Sequence, residues 1–377
     1  MKIILNILKY TMITLISIVA LLSLITILYM RQPQFGQAAT GERLERIKQS
    51  KHFKEGAFSN LSFTPSLMEG YSMTGVMYDF LFKKNPRQKP LKAIPHIQTD
   101  LKSIPADSNV VIWFGHSSYY MQVDGVKILV DPVFSGNASP VPGTTKAFEG
   151  TNTYGVKDLP EIDYLLISHD HYDHLDYQTI TELKSKVKHV VCGLGVGAYF
   201  EQWGYRPEMI SERDWNETIE IANGIKIHTL TARHFSGRTF KRNNTLWLAY
   251  LLETPKQKIF IGGDGGYDKH FAEIGKRFGS IDLAILENGQ YNVAWRAIHC
   301  MPEEVVQAAK DLNAKRVMPV HSGKFSLAQH SWDEPLNEVS RLSKLNSIPL
   351  VTPVIGEVVW MKDEGQVFRE WWKGVEN

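Results

Sequence analysis

The chain has little cysteine. Cys192 and Cys300 are the two in 377 residues, far apart and forming no CxxC, so they say little about redox compartment. Cys192 ends the apolar run His189-Val190-Val191 and reads as a packed core residue rather than a ligand or disulfide partner. Net charge is also scarce: 42 Lys and Arg against 40 Asp and Glu leave a formal +2. That balance removes any global argument for nucleic acid or for an acidic partner. Internal repeats and low-complexity tracts are missing as well. What remains, at 43% hydrophobic residues, is enough to bury one large α/β domain with some chain left over.

Residues 10–30 carry no charge, and Leu15-Ile16-Ser17-Ile18-Val19-Ala20-Leu21-Leu22 lies at their centre, long enough to cross a ~30 Å hydrocarbon core as a helix. Residues 1–31 therefore read as a single-pass N-terminal membrane anchor. A cleaved signal peptide competes, with Lys2 and Lys9 as a basic start and Gln37-Ala38-Ala39 as small residues; the apolar stretch exceeds the usual ~7–15-residue core of such a signal. The side of the membrane stays open, because Lys2 and Lys9 oppose Arg31, Arg43, Arg46, Lys48 and Lys51 across the run. Residues 32–105 read as a linker and N-terminal extension, with a short helix at Arg43-Leu44-Glu45-Arg46-Ile47-Lys48 and a break at Phe63-Thr64-Pro65. Its basic strip, Lys83-Lys84-Asn85-Pro86-Arg87-Gln88-Lys89-Pro90, is either a solvated linker or a face for anionic headgroups.

The chemistry is concentrated in Ser168-His169-Asp170-His171-Tyr172-Asp173-His174-Leu175-Asp176, directly after the apolar run Tyr164-Leu165-Leu166-Ile167. That run reads as a buried strand whose end delivers three imidazoles and several carboxylates into a loop. Such donors suit Zn²⁺ or another borderline divalent ion, and their close spacing allows two neighbouring ions to be served. A single loop cannot close two coordination spheres. Further donors follow other strand-like runs: His234 after Ile225-Lys226-Ile227-His228-Thr229-Leu230-Thr231, Asp264 after Lys258-Ile259-Phe260-Ile261-Gly262-Gly263, and His321 after Arg316-Val317-Met318-Pro319-Val320. Upstream, Asp124-Gly125 between two β-rich runs signals a hairpin. The proline-punctuated stretch 135–155 is a long loop, either a lid or binding loop or disordered. Residues 177–188 read as a helix, and Trp203 as core.

Together these motifs resemble the metallo-β-lactamase fold hydrolases, and within them the N-acylphosphatidylethanolamine-hydrolysing phospholipase D branch and its bacterial relatives. The local matches include Trp113-Phe114-Gly115-His116-Ser117, Asp131-Pro132, Gly193-Leu194-Gly195-Val196-Gly197, His234-Phe235-Ser236-Gly237-Arg238, Gly263-Asp264-Gly265-Gly266-Tyr267, His299-Cys300-Met301-Pro302-Glu303-Glu304 and His321-Ser322-Gly323-Lys324-Phe325. The resemblance implies an α/β fold, an αββα sandwich over residues 106–377. It also implies one ion on His169, His171 and His234, a second on Asp173, His174 and His321, and Asp264 bridging them. Zn²⁺ is the default, with Mn²⁺ or Fe²⁺ accepting the same donors. Asp131 would support a metal ligand, Asp173 would also orient the nucleophile, and His299 would look towards substrate phosphate; His116 and Arg238 are further substrate or supporting candidates.

The implied reaction is metal-bridged hydroxide attack on N-acylphosphatidylethanolamine, releasing N-acylethanolamine and phosphatidic acid at a membrane. Two alternatives are a metal-dependent lactonase or phosphodiesterase for a soluble substrate, and a non-enzymatic membrane-associated module. The pair Glu287-Asn288 departs from the branch, and a carboxylate there is expected to disfavour an anionic lipid. Oligomeric state is not legible.

Overall fold

The computed structural model describes residues 1–375. Helix Lys2–Tyr29 comes first; none of its 28 residues is buried, and its length and apolar composition suffice to cross a membrane. The rest is built on two sheets. The first has seven strands in the order Val358–Trp360, Val110–Trp113, Tyr119–Val123, Val126–Val130, Ile162–Leu166, Val187–Gly193 and Ile210–Arg213. The second has six, in the order Val317–Val320, Leu283–Glu287, Lys258–Ile261, Ala249–Glu253, Lys226–Leu230 and Thr218–Glu220.

Sequence explains which strands lie inside. Val110–Trp113, Tyr119–Val123 and Leu283–Glu287 are buried at every position, as continuous apolar runs must be when both faces of a sheet are covered. Thr218–Glu220, at an edge, keeps its alternate residues exposed. Asp124 and Gly125 both take positive φ, 45° and 83°, between the paired Val123 and Val126, which is the primed turn expected of that dipeptide. One apolar core runs through both sheets. Tyr250, on the second sheet, donates its hydroxyl to Ile167 O at 2.6 Å and to Val191 O at 3.1 Å, both on the first. Helices such as Tyr177–Leu183, His270–Phe278 and Pro302–Asp311 complete the αββα sandwich.

Residues 32–105 do more than tether. Helix Gly41–Gln49 buries Ile47 and is clamped by Arg43, which reaches Glu201 at 2.7 Å and Glu212 at 2.6 Å. Phe58 is buried and donates its N–H to Asn243 O at 2.8 Å. The loop 135–155 is ordered by burial of Phe148 and by its N–H bond to Lys324 O, 2.8 Å. Pro140 in that loop accepts the Tyr29 hydroxyl at 2.8 Å, so it receives the end of the first helix.

Candidate metal centre

The loop 168–176 leaves the C-terminal end of Ile162–Leu166, a strand flanked in parallel by Val126–Val130 and Val187–Gly193. Main-chain bonds from His174 N and Leu175 N to His171 O, 3.1 and 2.8 Å, coil the loop so that His169 and His171 join one group of donors and Asp173 and His174 another. His169 Nε2 lies 2.9 Å from His171 Nδ1, and His234 Nε2 lies 3.3 Å from the same atom. Nitrogen ligands on one tetrahedral zinc stand about 3.3 Å apart, so this triad has the spacing of a shared cation. A second group is formed by His116, Asp173, His174 and His321, with ligand atoms within 4.8 Å of one another. Asp264 joins the two: it groups with His169 and His174 on one side and with Glu287, His299 and His321 on the other.

Supporting contacts set which ring nitrogen is available. His234 Nδ1 bonds Ile298 O at 2.9 Å, leaving Nε2 as the acceptor towards the triad. His174 Nδ1 bonds Asp131 Oδ2 at 2.8 Å, and Asp131 is itself held by Ser168 N and Oγ at 2.8 and 2.6 Å. The inward atoms His174 Nε2 and Asp264 Oδ1 are buried and make no hydrogen bond of good geometry; they stand only in ion-pair range, 3.2 Å from Asp264 Oδ2 and 3.1 Å from His321 Nδ1 respectively, a convergence of donors that a cation would satisfy. Protonation suits a cation at most of these donors; at His174 burial favours the neutral ring, but Asp264, Asp173 and Asp131 outweigh it and hold the imidazole well above its usual range, so an ion there takes the place of its proton. Burial, then the neighbouring imidazoles, hold His169 well below the usual range, and burial does the same to His234 and His321. Burial works against ionised Asp173 and Asp264, yet His174 and other nearby imidazoles hold both carboxyls well below their usual range. Neutral imidazoles and ionised carboxylates are the ligating forms. The donor set therefore fits divalent ions.

The strand ends approach closely at the site. His116 N donates to Ser322 O at 3.1 Å and His321 N to His116 O at 3.0 Å, with φ of 54° and 66° at these two residues, a conformation tolerated where surrounding structure enforces it. Gly263, φ 61°, precedes Asp264; a Cβ there would stand 2.8 Å from Ser168 Cβ and 3.0 Å from Leu248 O, so only glycine lets Asp264 come so near the metal loop.

A cavity of about 430 Å³ opens over the cluster. Its floor is His171, Asp173, Asp264, Gln290, His299 and His321; its walls include Leu67, Met73, Val76, Phe80, Phe235 and Trp295, with Arg242 at one side. His299 precedes helix Pro302–Asp311, which has Pro302 in its first turn and Glu304 accepting from Met301 N at 2.8 Å, the start expected from those residues.

One sequence expectation changes here, and two readings left open are narrowed. Glu287 does not present a free charge to the cavity: it is 5% exposed, and its oxygens take His299 Nδ1, at 2.8 Å, and Cys300 N. Burial pushes its carboxyl up to about 7, while Glu287, against the opposing effect of burial, raises His299. Arg238 does not face the cavity. It is buried, donates to Gln34 O, Asp170 O and Leu175 O at 2.7–3.0 Å, and lies 4.1 Å over the Tyr172 ring. It pins the metal loop to the root of the first helix, and Arg242 is the guanidinium that lines the cavity. The third is the loop 135–155, which borders a smaller cavity with Gln34, Tyr172 and Arg238; one wall of the main cavity comes from the extension, through Leu67, Met73, Val76 and Phe80. Sequence reading also missed Arg242, whose only signal was a position four residues beyond Arg238 in the loop after His234; Asn60, whose side chain bonds the main chain of His234, was marked only within Phe58-Ser59-Asn60, a short stretch resembling one before the core of the phospholipase branch.

Comparison with known proteins agrees with this geometry. A family model described as beta-lactamase superfamily domain matches residues 126–322. An uncharacterized protein of Mycobacterium tuberculosis is 34% identical over 316 residues, covering 83% of this chain and 85% of that protein. The N-acyl-phosphatidylethanolamine-hydrolyzing phospholipase D 1 of Caenorhabditis elegans is 30% identical over 269 residues, 65% of this chain and 74% of the relative. Among solved structures, Igni18, a metallo hydrolase of Ignicoccus hospitalis, shares the fold at TM-score 0.51 and 20% identity, over 67% of this chain and 97% of that one.

Proposed function

The chain belongs to the beta-lactamase superfamily and is a metal-dependent hydrolase of it, and from that premise we propose a dinuclear phosphodiesterase of the phospholipase D type, anchored in a membrane by Lys2–Tyr29. Its substrate is N-acylphosphatidylethanolamine, cleaved to N-acylethanolamine and phosphatidic acid. The observation that carries this reading is the cavity: apolar walls of the kind that hold acyl chains stand over a floor of histidines and carboxylates. A soluble, uniformly polar substrate would not need such walls.

His169, His171 and His234 would hold one ion and Asp173, His174 and His321 the other, with Asp264 between. Held there, two divalent ions would supply Lewis-acid activation of water and would neutralise charge on the phosphate oxygens. The protein's own residues do the rest. Asp131 fixes the tautomer of His174, and His116, 2.8 Å from Asp173 Oδ2, fixes the carboxylate that orients the nucleophile. Glu287 occupies Nδ1 of His299, so the other ring nitrogen is the one offered to a phosphate oxygen in the cavity. Arg242 adds a cation beside the walls. The apolar side chains exclude water from the reacting phosphate and strengthen these contacts.

The test is hydrolysis of N-acylphosphatidylethanolamine by the full-length protein in detergent, with and without chelator, beside Asp264→Asn and a panel of lactones. Chelator-sensitive, Asp264-dependent release of phosphatidic acid is expected. A metal-loaded protein that leaves this lipid intact and opens a lactone would overturn the substrate.

A further inference from the structure

Helix Met73–Phe82, MTGVMYDFLF, buries none of its residues, yet one charge, Asp79, is all it carries, and that is paired with Lys83 at 2.8 Å. Its two sides differ in use. Met73, Val76 and Phe80 line the cavity over the metal cluster, with Phe80 stacked on Trp295 at a centroid distance of 6.1 Å. Met77, Leu81 and Phe82 are 58, 61 and 67% exposed. Phe63 and Phe240, each 87% exposed, lie in the segments that supply Leu67 and Arg242 to the same cavity. An apolar patch gathered at one mouth, rather than scattered singly, marks an interaction surface.

Two observations identify what covers it. The first is continuity with the first helix. Phe35, just beyond that helix, packs edge-on against Tyr172, with centroids 6.2 Å apart, and Tyr172 adjoins His171, a residue of the cavity floor. The end of Lys2–Tyr29 therefore docks on the metal loop itself, on its Tyr172 side, while His171 and Asp173 of the same loop face the cavity, so anchor and cavity share one loop. The second is charge: Lys84 and Lys89 after the helix, and Lys241 beside Phe240, are exposed, a distribution that suits anionic headgroups.

We propose that Met73–Phe82 is an interfacial helix lying in the headgroup–acyl boundary of the membrane that holds the anchor. Its outer side chains enter the leaflet, and its inner ones form the passage by which a lipid reaches the cavity. The inference rests on the reading of Lys2–Tyr29 as a membrane anchor. It explains why the helix tolerates exposed Met, Leu and Phe, and it gives the basic strip after it a role as a headgroup contact.

The experiment uses the full chain in vesicles of phosphatidylethanolamine and phosphatidylglycerol. Cys192 and Cys300 are buried, so a thiol-reactive fluorophore reports on Leu81→Cys, or on a control, Lys256→Cys. Lys256 lies in the turn between Ala249–Glu253 and Lys258–Ile261, at the end of that strand away from Asp264. Nitroxide on the lipid acyl chains is expected to quench the Leu81→Cys label roughly twofold or more, as insertion of an interfacial helix requires, and to spare the control. A floating, vesicle-bound chain whose Leu81→Cys label is no more quenched than the control, and equally open to iodide, overturns the interfacial helix alone. A label shielded from iodide but untouched by the nitroxide lipids overturns it in favour of a protein cover. A chain that does not float with the vesicles overturns the anchor and the inference together.

Discussion

Asn60 holds the main chain of His234 from both sides: its Oδ1 accepts from His234 N at 3.1 Å and its Nδ2 donates to His234 O at 2.7 Å. The same Oδ1 accepts from Trp247 Nε1 at 3.1 Å. A residue of the N-terminal extension thus positions a histidine of the candidate metal triad, 174 positions away in the chain.

Asn60→Ala leaves both main-chain groups of His234 without these partners, at a cost of about 1–3 kcal/mol. It should also weaken divalent-metal binding by roughly 10–100-fold, the usual effect of losing an outer support. Asn60→Asp keeps the size but cannot donate to His234 O, and should fall between. Metal titration of the three proteins decides; equal affinities would mean that His234 needs no such support.

The two arginines after His234 should separate cleanly. Arg242→Ala, at an exposed cavity wall, is expected to lower kcat/KM for the phospholipid by about tenfold, or ~1.4 kcal/mol, with an unchanged melting temperature. Arg238→Ala removes the bonds to Gln34, Asp170 and Leu175 and should cost roughly 3 kcal/mol of stability. Steady-state kinetics paired with thermal melts test this, and the reverse pattern would return the phosphate role to Arg238.

His270 predicts an acid-linked loss of stability. It is buried beside Phe271, with ring centroids 4.1 Å apart, and burial lowers its pKa from 6.5 to about 4. Between these values the unfolded chain binds a proton that the folded one refuses. The stability contributed by neutral His270 is therefore full above pH 6.5 and drains as pH falls to 4, by about 3 kcal/mol in all. His270→Leu should flatten the difference between urea unfolding curves at pH 7 and pH 4 by that amount; parallel losses in both proteins would assign the acid sensitivity elsewhere.

Chelation should destabilise the protein as well as silence it. His174 Nε2 and His321 Nδ1 are each brought within 3.2 Å of Asp264 only by the fold, so an ion that they hold binds the folded state alone. At a free metal concentration about 100 times Kd the folded state gains about 2.7 kcal/mol. The expected result is a lower unfolding midpoint in chelator, restored on adding back a divalent ion. An unmoved midpoint would count against an ion in this cluster.

The metal loop was legible because its evidence is local. An apolar run followed by HxHxDH needs no partner to be recognised, and the Asp-Gly hairpin and the Pro302 helix start are equally short-range. Glu287 was misjudged, and Arg238 left between two roles, for the opposite reason. A charged residue after a strand or in a loop has the same spelling whether it faces a cavity or is held by partners inside the protein; here His299 and Cys300 N take Glu287, and the carbonyls of Gln34, Asp170 and Leu175 take Arg238.

By itself the sequence determined the α/β class, the apolar first helix and the set of residues able to hold ions, since each follows from periodicity, run length or donor chemistry within a few neighbouring positions. Only the tertiary structure decided that Asn60 grips His234, that Arg242 rather than Arg238 lines the cavity, and that Met73–Phe82 forms its wall. Those relations join distant segments, Asn60 and His234 being 174 positions apart, and burial, which sets whether a charge is free or paired, exists only once such segments have packed together.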